Sequence, residues 1–259
     1  MPFAQLLISL TLGVAASASV QEVPLDWDVQ RDPANETLVA FVPMTSGLAI
    51  GVRCTKGDFA AIIAGLPEAR SDERLRTLRI GRPDDLHDSR WNVTTDRTVA
   101  IADYPARFAR NLREGGPLSI LIPGGGGEGR NLRHDLELPA SSAAIDEVLT
   151  ACDRPLVDPR DALLPEIGAG GLPAGVTWAR PPRPVFPQSQ YAAGYAVVSC
   201  MMTAEGRLEQ CVVEAQHPAD SAFGRVALRS TGDARLTSPN ETPGQFTPRV
   251  VGFRFNFRQ

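Results

Sequence analysis

Several chemistries common in chains of this size lack their sequence signals here. The glycine run "PGGGGEGR" at residues 123–130 lacks the G-K-[ST] ending of a phosphate-binding loop, and no G-x-S-x-G hydrolase motif occurs. No C-x-x-C pair occurs, which argues against a thioredoxin-like redox site. His87, His134 and His217 are far apart in the sequence and lack zinc-type spacing to any cysteine. The sequence therefore predicts no catalytic residue, no metal site and no cofactor.

Long apolar runs and an excess of positive charge are also missing. The apolar stretch from Leu6 to Ala16 has about half of the roughly 20 residues that a membrane-spanning helix needs, and no other stretch approaches that length. Ala16-Ser17-Ala18 fits a signal-peptidase site, so residues 1–18 are predicted to be a signal peptide. An uncleaved inner-membrane anchor and an ordinary N-terminal helix are the alternatives. The net charge of −4 argues against nucleic acid as a partner, and the prediction is an exported, periplasmic protein.

The chain has four cysteines, and in an exported protein they predict two disulfides. Cys152 ends the predicted helix 141–152 on its apolar face, where a strand residue such as Cys54 would meet it. The other two, Cys200 and Cys211, lie in one predicted hairpin. Bonds that link each of these to Cys54 or Cys152 are the alternative, because the spacing alone allows three connectivities.

The hairpin hypothesis rests on the register of two strands on either side of "AEG". If Glu205 and Gly206 form the tip, Cys200 lies directly opposite Cys211. Directly opposed residues of antiparallel strands have Cα atoms roughly 4.5 to 5.5 Å apart, which suits a disulfide. The same register predicts the pairs of one apolar face, Val198 with Val213 and Ala196 with Ala215.

The pattern of short elements predicts an α+β chain with two modules. Residues 23–160 are predicted to form a mostly-β module with one or two helices. Residues 161–187, rich in Pro and Gly, are predicted to be a linker rather than a packed element. Residues 188–259 show the order strand, strand, helix, strand, which predicts a small antiparallel sheet. The predicted strands of the first module are 48–54, 75–81, 90–95, 98–103, 117–123 and 133–139, with helices in 104–116 and 141–152.

Four stretches within residues 178–257 follow one another in a specific order. They are "RPVFPQSQYAAG", the double strand "YAVVSCMMTAEGRLEQCVVEA", the helix and turn "FGRVALRSTGDARLTSP", and the final "VVGFRFNF". Together they resemble the TonB C-terminal domain, in the form found in exported proteins of alphaproteobacteria. The resemblance implies a periplasmic module that binds the TonB-box peptide of an outer-membrane transporter by adding a strand to its sheet. That family has a membrane helix and a long Pro-rich spacer where this chain has its first module.

The closing strand is the predicted partner-binding segment, because a small open sheet leaves unpaired backbone groups at its edge. Its alternation places Phe255 and Phe257 on an apolar face with the preceding hydrophobic residues, and the arginines and Asn256 on a solvated face. The residues assigned to the binding edge are Arg249, Val251, Phe253 and Phe255.

The sequence thus predicts a non-enzymatic periplasmic protein that binds a protein or peptide partner, such as a TonB-dependent outer-membrane transporter. Two other hypotheses remain open at this point. An envelope hydrolase would use the first module, with His134 and Asp135 as its candidate residues. A structural envelope protein would have no role in transport.

Overall fold

The computed structural model describes residues 26–163, 171–188, 190–242 and 244–259. The predicted signal peptide lies outside the described residues. Within these ranges the fold is mixed and mostly β, with three α-helices and antiparallel sheets. None of the helices in the described part of the chain has both the length and the apolar character needed to cross a membrane.

A nine-stranded antiparallel sheet makes up the N-terminal half. Helices α1 (Pro105–Leu112) and α2 (Ala143–Ala151) pack with the sheet in one hydrophobic core. The strands are β1 (Asp28–Asp32), β2 (Thr37–Pro43), β3 (Ala49–Thr55), β4 (Asp58–Ala64), β5 (Leu75–Arg82), β6 (Asp85–Val93), β7 (Ala100–Ala102), β8 (Gly116–Ile122) and β9 (Leu132–Leu138). Their spatial order is β1-β2-β3-β4-β7-β6-β5-β8-β9.

Three of these strands, β1, β2 and β4, escape the sequence prediction. β1 is polar and lies at the edge of the sheet, so it has no apolar alternation. β4 is rich in alanine, which has a weak preference for strands. The signal that identifies β4 is the two-residue turn Lys56-Gly57, whose φ angles of 51° and 78° are those of a tight hairpin.

The C-terminal half contains a three-stranded sheet and a two-stranded one. The strands β11 (Ala193–Met202), β12 (Leu208–His217) and β14 (Arg249–Arg258) have the order β12-β11-β14, and helix α3 (Phe223–Ser230) packs on this sheet. The short strands β10 (Thr177–Arg180) and β13 (Arg235–Thr237) pair with each other.

The prediction that residues 161–187 form a linker without packed elements is wrong for the second part of that range. Strand β10 lies there, and its Trp178 packs edge-on against Phe253 of β14 with ring centroids 5.4 Å apart. Strand β10 pairs with β13, which comes after α3 in the chain. The pairing connects segments far apart in the sequence, so the local Pro and Gly content does not reveal it.

Both predicted disulfides are present. Cys54 is bonded to Cys152 with a Cα–Cα distance of 5.6 Å, and Cys200 is bonded to Cys211 with a distance of 4.1 Å. The first joins β3 to the end of α2, and the second joins β11 to β12. The prediction from hairpin geometry is thus confirmed for the bond itself.

The predicted register of the hairpin is correct only in its middle. Val198 faces Val213 as predicted, but Ala196 faces Gln216 rather than Ala215. The pairing shifts between Val197 and Val198, which leaves Glu214 as an extra residue in β12, a β-bulge. Sequence alternation alone cannot place such a bulge, because it depends on what the extra residue contacts.

Candidate functional site

The outer edge of β14 is the candidate functional site. Its N–H groups alternate in direction, and that of Gly252 points away from β11 and donates to the carbonyl oxygen of Gly171 at 2.8 Å. The backbone groups of Arg254 and Asn256 therefore point out of the sheet on the same side. Among the residues that the structure describes, no backbone group pairs with those of Arg254 and Asn256 on this side.

A groove with a volume of about 320 Å³ lies beside this open part of the edge. Trp178, Pro181 and Pro182 contribute to its wall from the segment that contains and follows β10, and Leu75 contributes from β5. A proline has no N–H to donate, so the two prolines cannot occupy the hydrogen-bonding positions of a neighbouring strand. The groove thus combines apolar side chains with polar ones, such as that of Arg90, beside the unpaired backbone of β14.

The side chains assigned to the binding edge mostly serve the core instead. Val251 and Phe253 are buried in the C-terminal hydrophobic cluster, and Phe255 packs against it. The Nη2 atom of Arg249 lies 2.5 Å from the Oε1 atom of Glu241. The structure therefore leaves the backbone of β14, rather than these side chains, for contact with a partner. The alternation of side chains along the strand does not reveal this, because the direction of its backbone groups is set by the register with β11.

The second face of the C-terminal sheet is not the solvated face that the alternation predicts. Arg254 reaches the N-terminal half, where its Nη1 atom donates to Oδ1 of Asp103 at 2.8 Å. Asp103 is fully buried and also accepts from Asn92 at 2.9 Å, and Arg90 lies 3.3 Å away. The guanidinium of Arg254 also stacks on the ring of Tyr195, 3.7 Å from its centroid. These contacts fix β14 against the N-terminal half on the face opposite to the C-terminal core.

A second polar connection between the two halves centres on the bulge residue. Glu214 is 7% exposed, and its carboxylate accepts a hydrogen bond from the hydroxyl of Ser199. The Nη1 atom of Arg160 in turn lies 3.4 Å from Ser199 Oγ. Burial raises the pKa of Glu214, an effect that the Ser199 hydroxyl and nearby arginines oppose. The bulge thus places the carboxyl group of Glu214 in the buried contact between the two halves.

We expect the E214Q substitution to stabilise the protein at neutral pH. A carboxyl group with a raised pKa binds its proton more tightly in the folded chain, so its contribution is favourable at low pH. That contribution is lost as the pH rises from the ordinary glutamate value of about 4.3 through the raised pKa. Melting temperatures between pH 4 and 8 test this. The gain of E214Q over the wild type is expected to grow with pH and to vanish near pH 4, whereas E209Q, an exposed position of the same strand, should show no such gain.

The two residues proposed for a hydrolase do not form a pair. His134 and Asp135 are neighbours on β9, so their side chains point to opposite faces of the sheet. Asp135 accepts hydrogen bonds from the Ser119 hydroxyl and from Arg133 Nε, the latter at 2.8 Å. In the described ranges, His134 Nε2 is buried without a hydrogen-bond partner, and no group of three His, Cys, Asp or Glu side chains is arranged to hold a metal ion.

Comparisons with known proteins say little about this chain. No family model matches the chain, and no curated protein matches it. Among solved structures, the solution NMR structure of the Pseudomonas aeruginosa TonB C-terminal domain is similar at 21% identity, covering 33% of this chain and 88% of that chain, with a TM-score of 0.29. This likeness is too weak to assign the chain to that family.

Proposed function

We propose that this protein is a non-enzymatic periplasmic binding protein that takes up an extended peptide of a protein partner by strand addition at β14. The observation that carries the proposal is the unpaired outward backbone at Arg254 and Asn256, next to a groove with both apolar and polar lining. An incoming strand would supply the missing N–H and C=O partners, and the groove would hold its side chains. A TonB-box segment of an outer-membrane transporter is the kind of partner that the sequence resemblance suggests.

The segment of this chain around Gly171 limits the length of the added strand. Gly171 already occupies the position beside Gly252, and Asn256 and Arg258 are exposed beyond it. The free part of the edge therefore runs from Arg254 to Arg258, which matches about five peptide residues at roughly 3.3 Å per residue. Trp178 in the groove would contact a side chain of the peptide that points to the same face. The predicted ligand is short, extended and at least partly apolar.

Substitution of Asn256 tests strand addition without disturbing the sheet. The N–H of Asn256 points outward, so N256P removes a hydrogen-bond donor that β11 does not use. We expect N256P to weaken binding of extended heptapeptides at least about tenfold, because it removes the donor and places a ring in the path of the added strand. N256A keeps the N–H and is expected to bind within about twofold of the wild type.

The measurement is fluorescence polarisation with labelled heptapeptides, including a synthetic TonB-box peptide and a random heptapeptide set. Circular dichroism and the melting temperature show whether N256P retains the fold. Strand addition is contradicted if none of these peptides binds the wild type, or if folded N256P binds them as tightly as N256A does.

A further inference from the structure

A partly open cavity of about 480 Å³ lies in the N-terminal half, between α1 and the β5–β6 hairpin. Its volume falls in the range of roughly 300 to 1,000 Å³ that is typical of small-molecule sites. No residue of β14 lines it, and Arg90 of β6 lines both this cavity and the groove beside β14. The apolar part of the lining consists mainly of Ile80, Phe108, Leu112, Leu118 and Leu138. The cavity can therefore hold the apolar body of a ligand.

The charged side chains that line the cavity differ in whether they have an ion partner. Arg107 has no ion partner within 4.0 Å among the residues that the structure describes. All other charged side chains of the lining are paired: Arg82 with Glu114 at 3.0 Å, His87 with Asp85 at 3.2 Å, Asp88 with Arg79 at 3.7 Å, Arg90 with Asp103 at 3.3 Å, and Asp161 with Arg110 at 2.8 Å. Arg107 is therefore the arginine of the lining that has no counter-ion within 4.0 Å in the described part of the chain.

Arg107 and Tyr104 also carry the unsatisfied polar atoms of this cavity. The Nε atom of Arg107 and the hydroxyl of Tyr104 are buried and have no hydrogen-bond partner in the described part of the chain. The two residues are three positions apart at the start of α1, which places them on one side of the helix. Unsatisfied buried polar atoms lower stability and are rare, so two at one cavity indicate a missing partner.

The missing partner must accept hydrogen bonds. Burial raises the pKa of the Tyr104 phenol, so the hydroxyl stays protonated at neutral pH and can donate. The guanidinium of Arg107 offers only donors and carries a positive charge. An anionic oxygen can accept hydrogen bonds from both groups at once, and it supplies the counter-ion that Arg107 lacks. Carboxylates and phosphates are the anions that a guanidinium binds best.

We propose that this cavity binds a small amphiphile with an anionic head, a carboxylate or a phosphate, held by Arg107 and Tyr104, and with an apolar body held by the leucine- and phenylalanine-lined wall. No residue of β14 belongs to the site, and binding of the anion there does not require strand addition at β14.

Isothermal titration of the full chain, with both disulfides formed, tests the proposal. The probes are decanoate, decyl phosphate, decanol and decylammonium, each below its micelle concentration. We expect at least one of the two anions to bind, and decanol and decylammonium to bind at least about tenfold more weakly. Tighter binding of decanoate indicates a fatty acid, and tighter binding of decyl phosphate indicates a phosphorylated lipid head.

Two substitutions show whether the named groups recognise the head. R107M is expected to weaken binding of the anions at least about tenfold and to leave binding of decanol unchanged. Y104F is expected to weaken binding of the anions about tenfold. R70Q, at an exposed arginine whose side chain is 82% exposed, serves as the matched control and should bind as the wild type does. Without ligand, Y104F should melt at the same temperature or higher, because it removes an unpaired buried hydroxyl.

The ligand series overturns the proposal without any variant if none of the four probes binds, or if decanol binds as tightly as both anions. Equal affinity of folded R107M and wild type for the anions also overturns it. If R107M does not fold, R107K replaces it, because it keeps the positive charge and loses the Nε donor. It is then expected to bind more weakly than the wild type but to retain the preference for anions over decanol.

Discussion

The C54A/C152A variant is expected to lose about 4–5 kcal/mol of unfolding free energy. The Cys54–Cys152 bond joins residues that are 98 positions apart, so in the unfolded chain it closes a very large loop. Because the entropy that a cross-link removes from the unfolded chain grows with the length of that loop, this bond stabilises the native state strongly. Both cysteines are also buried in the N-terminal core, and their sulfur atoms leave a small cavity when alanine replaces them.

The second disulfide is the internal control. Cys200 and Cys211 are 11 positions apart, so their loop is short, and C200A/C211A is expected to lose about 3 kcal/mol. Guanidinium denaturation of the wild type and of both double variants, all without reductant, measures the difference. Equal losses for the two pairs, or a larger loss for C200A/C211A, would show that loop length does not dominate the effect of these bonds.

The second large effect is expected at Asp103, where D103A should cost about 3–5 kcal/mol. Its carboxylate is fully buried and binds Arg254 at 2.8 Å and Asn92 at 2.9 Å, with Arg90 at 3.3 Å. Removal of the carboxylate leaves the guanidinium of Arg254, whose side chain is only 8% exposed, with its charge uncompensated at this contact. A buried charge without its counter-ion is far more costly than the loss of an exposed ion pair.

Urea denaturation of D103A and D88A provides the comparison. Asp88 pairs with Arg79 at 3.7 Å on the surface, where its side chain is 63% exposed, so D88A should change stability by less than about 1 kcal/mol. The D103L/R254M double variant replaces the buried pair by apolar side chains and should recover much of the loss of D103A. A loss in D103A no greater than that in D88A would contradict a structural role for this contact.

The Asp103 contact also matters for the proposed binding edge. Arg254 is the residue that fastens β14 to the N-terminal half, and its own backbone is part of the open edge. A binding strand placed on a rigid support keeps its hydrogen-bonding groups in position for a partner. We therefore interpret the N-terminal half as a support for the edge that also contains the cavity between α1 and the β5–β6 hairpin.

Much of the local structure follows from sequence pattern. The apolar face predicted for the helix 141–152 is the one that the structure buries, with Ile145, Val148 and Leu149 fully inaccessible. The Cys200–Cys211 bond was predictable because both residues belong to one hairpin. Strand β4 was not predictable from its composition, because alanine is common in helices. The turn residues Lys56-Gly57 before β4 were the better signal.

The candidate site was predictable as an edge but not in its detail. The closing strand lies at one edge of its sheet. The part of it that is open depends on Gly171, a residue about eighty positions earlier, which pairs with Gly252. The cavity of the N-terminal half gave no sequence signal, because Tyr104 and Arg107 look like ordinary residues of a short helix.

By itself, the sequence determined the features that depend on residues close together in the chain: the strand and helix periods, the turn positions and the disulfide of the hairpin. Only the tertiary structure decided which polar groups became buried, with Asp103 paired to Arg254 across the two halves and Arg107 left without an ion partner in the described part of the chain. The physical reason is that burial and pairing depend on elements brought together from distant parts of the chain. No local sequence pattern indicates which charged side chains will form ion pairs in the folded chain.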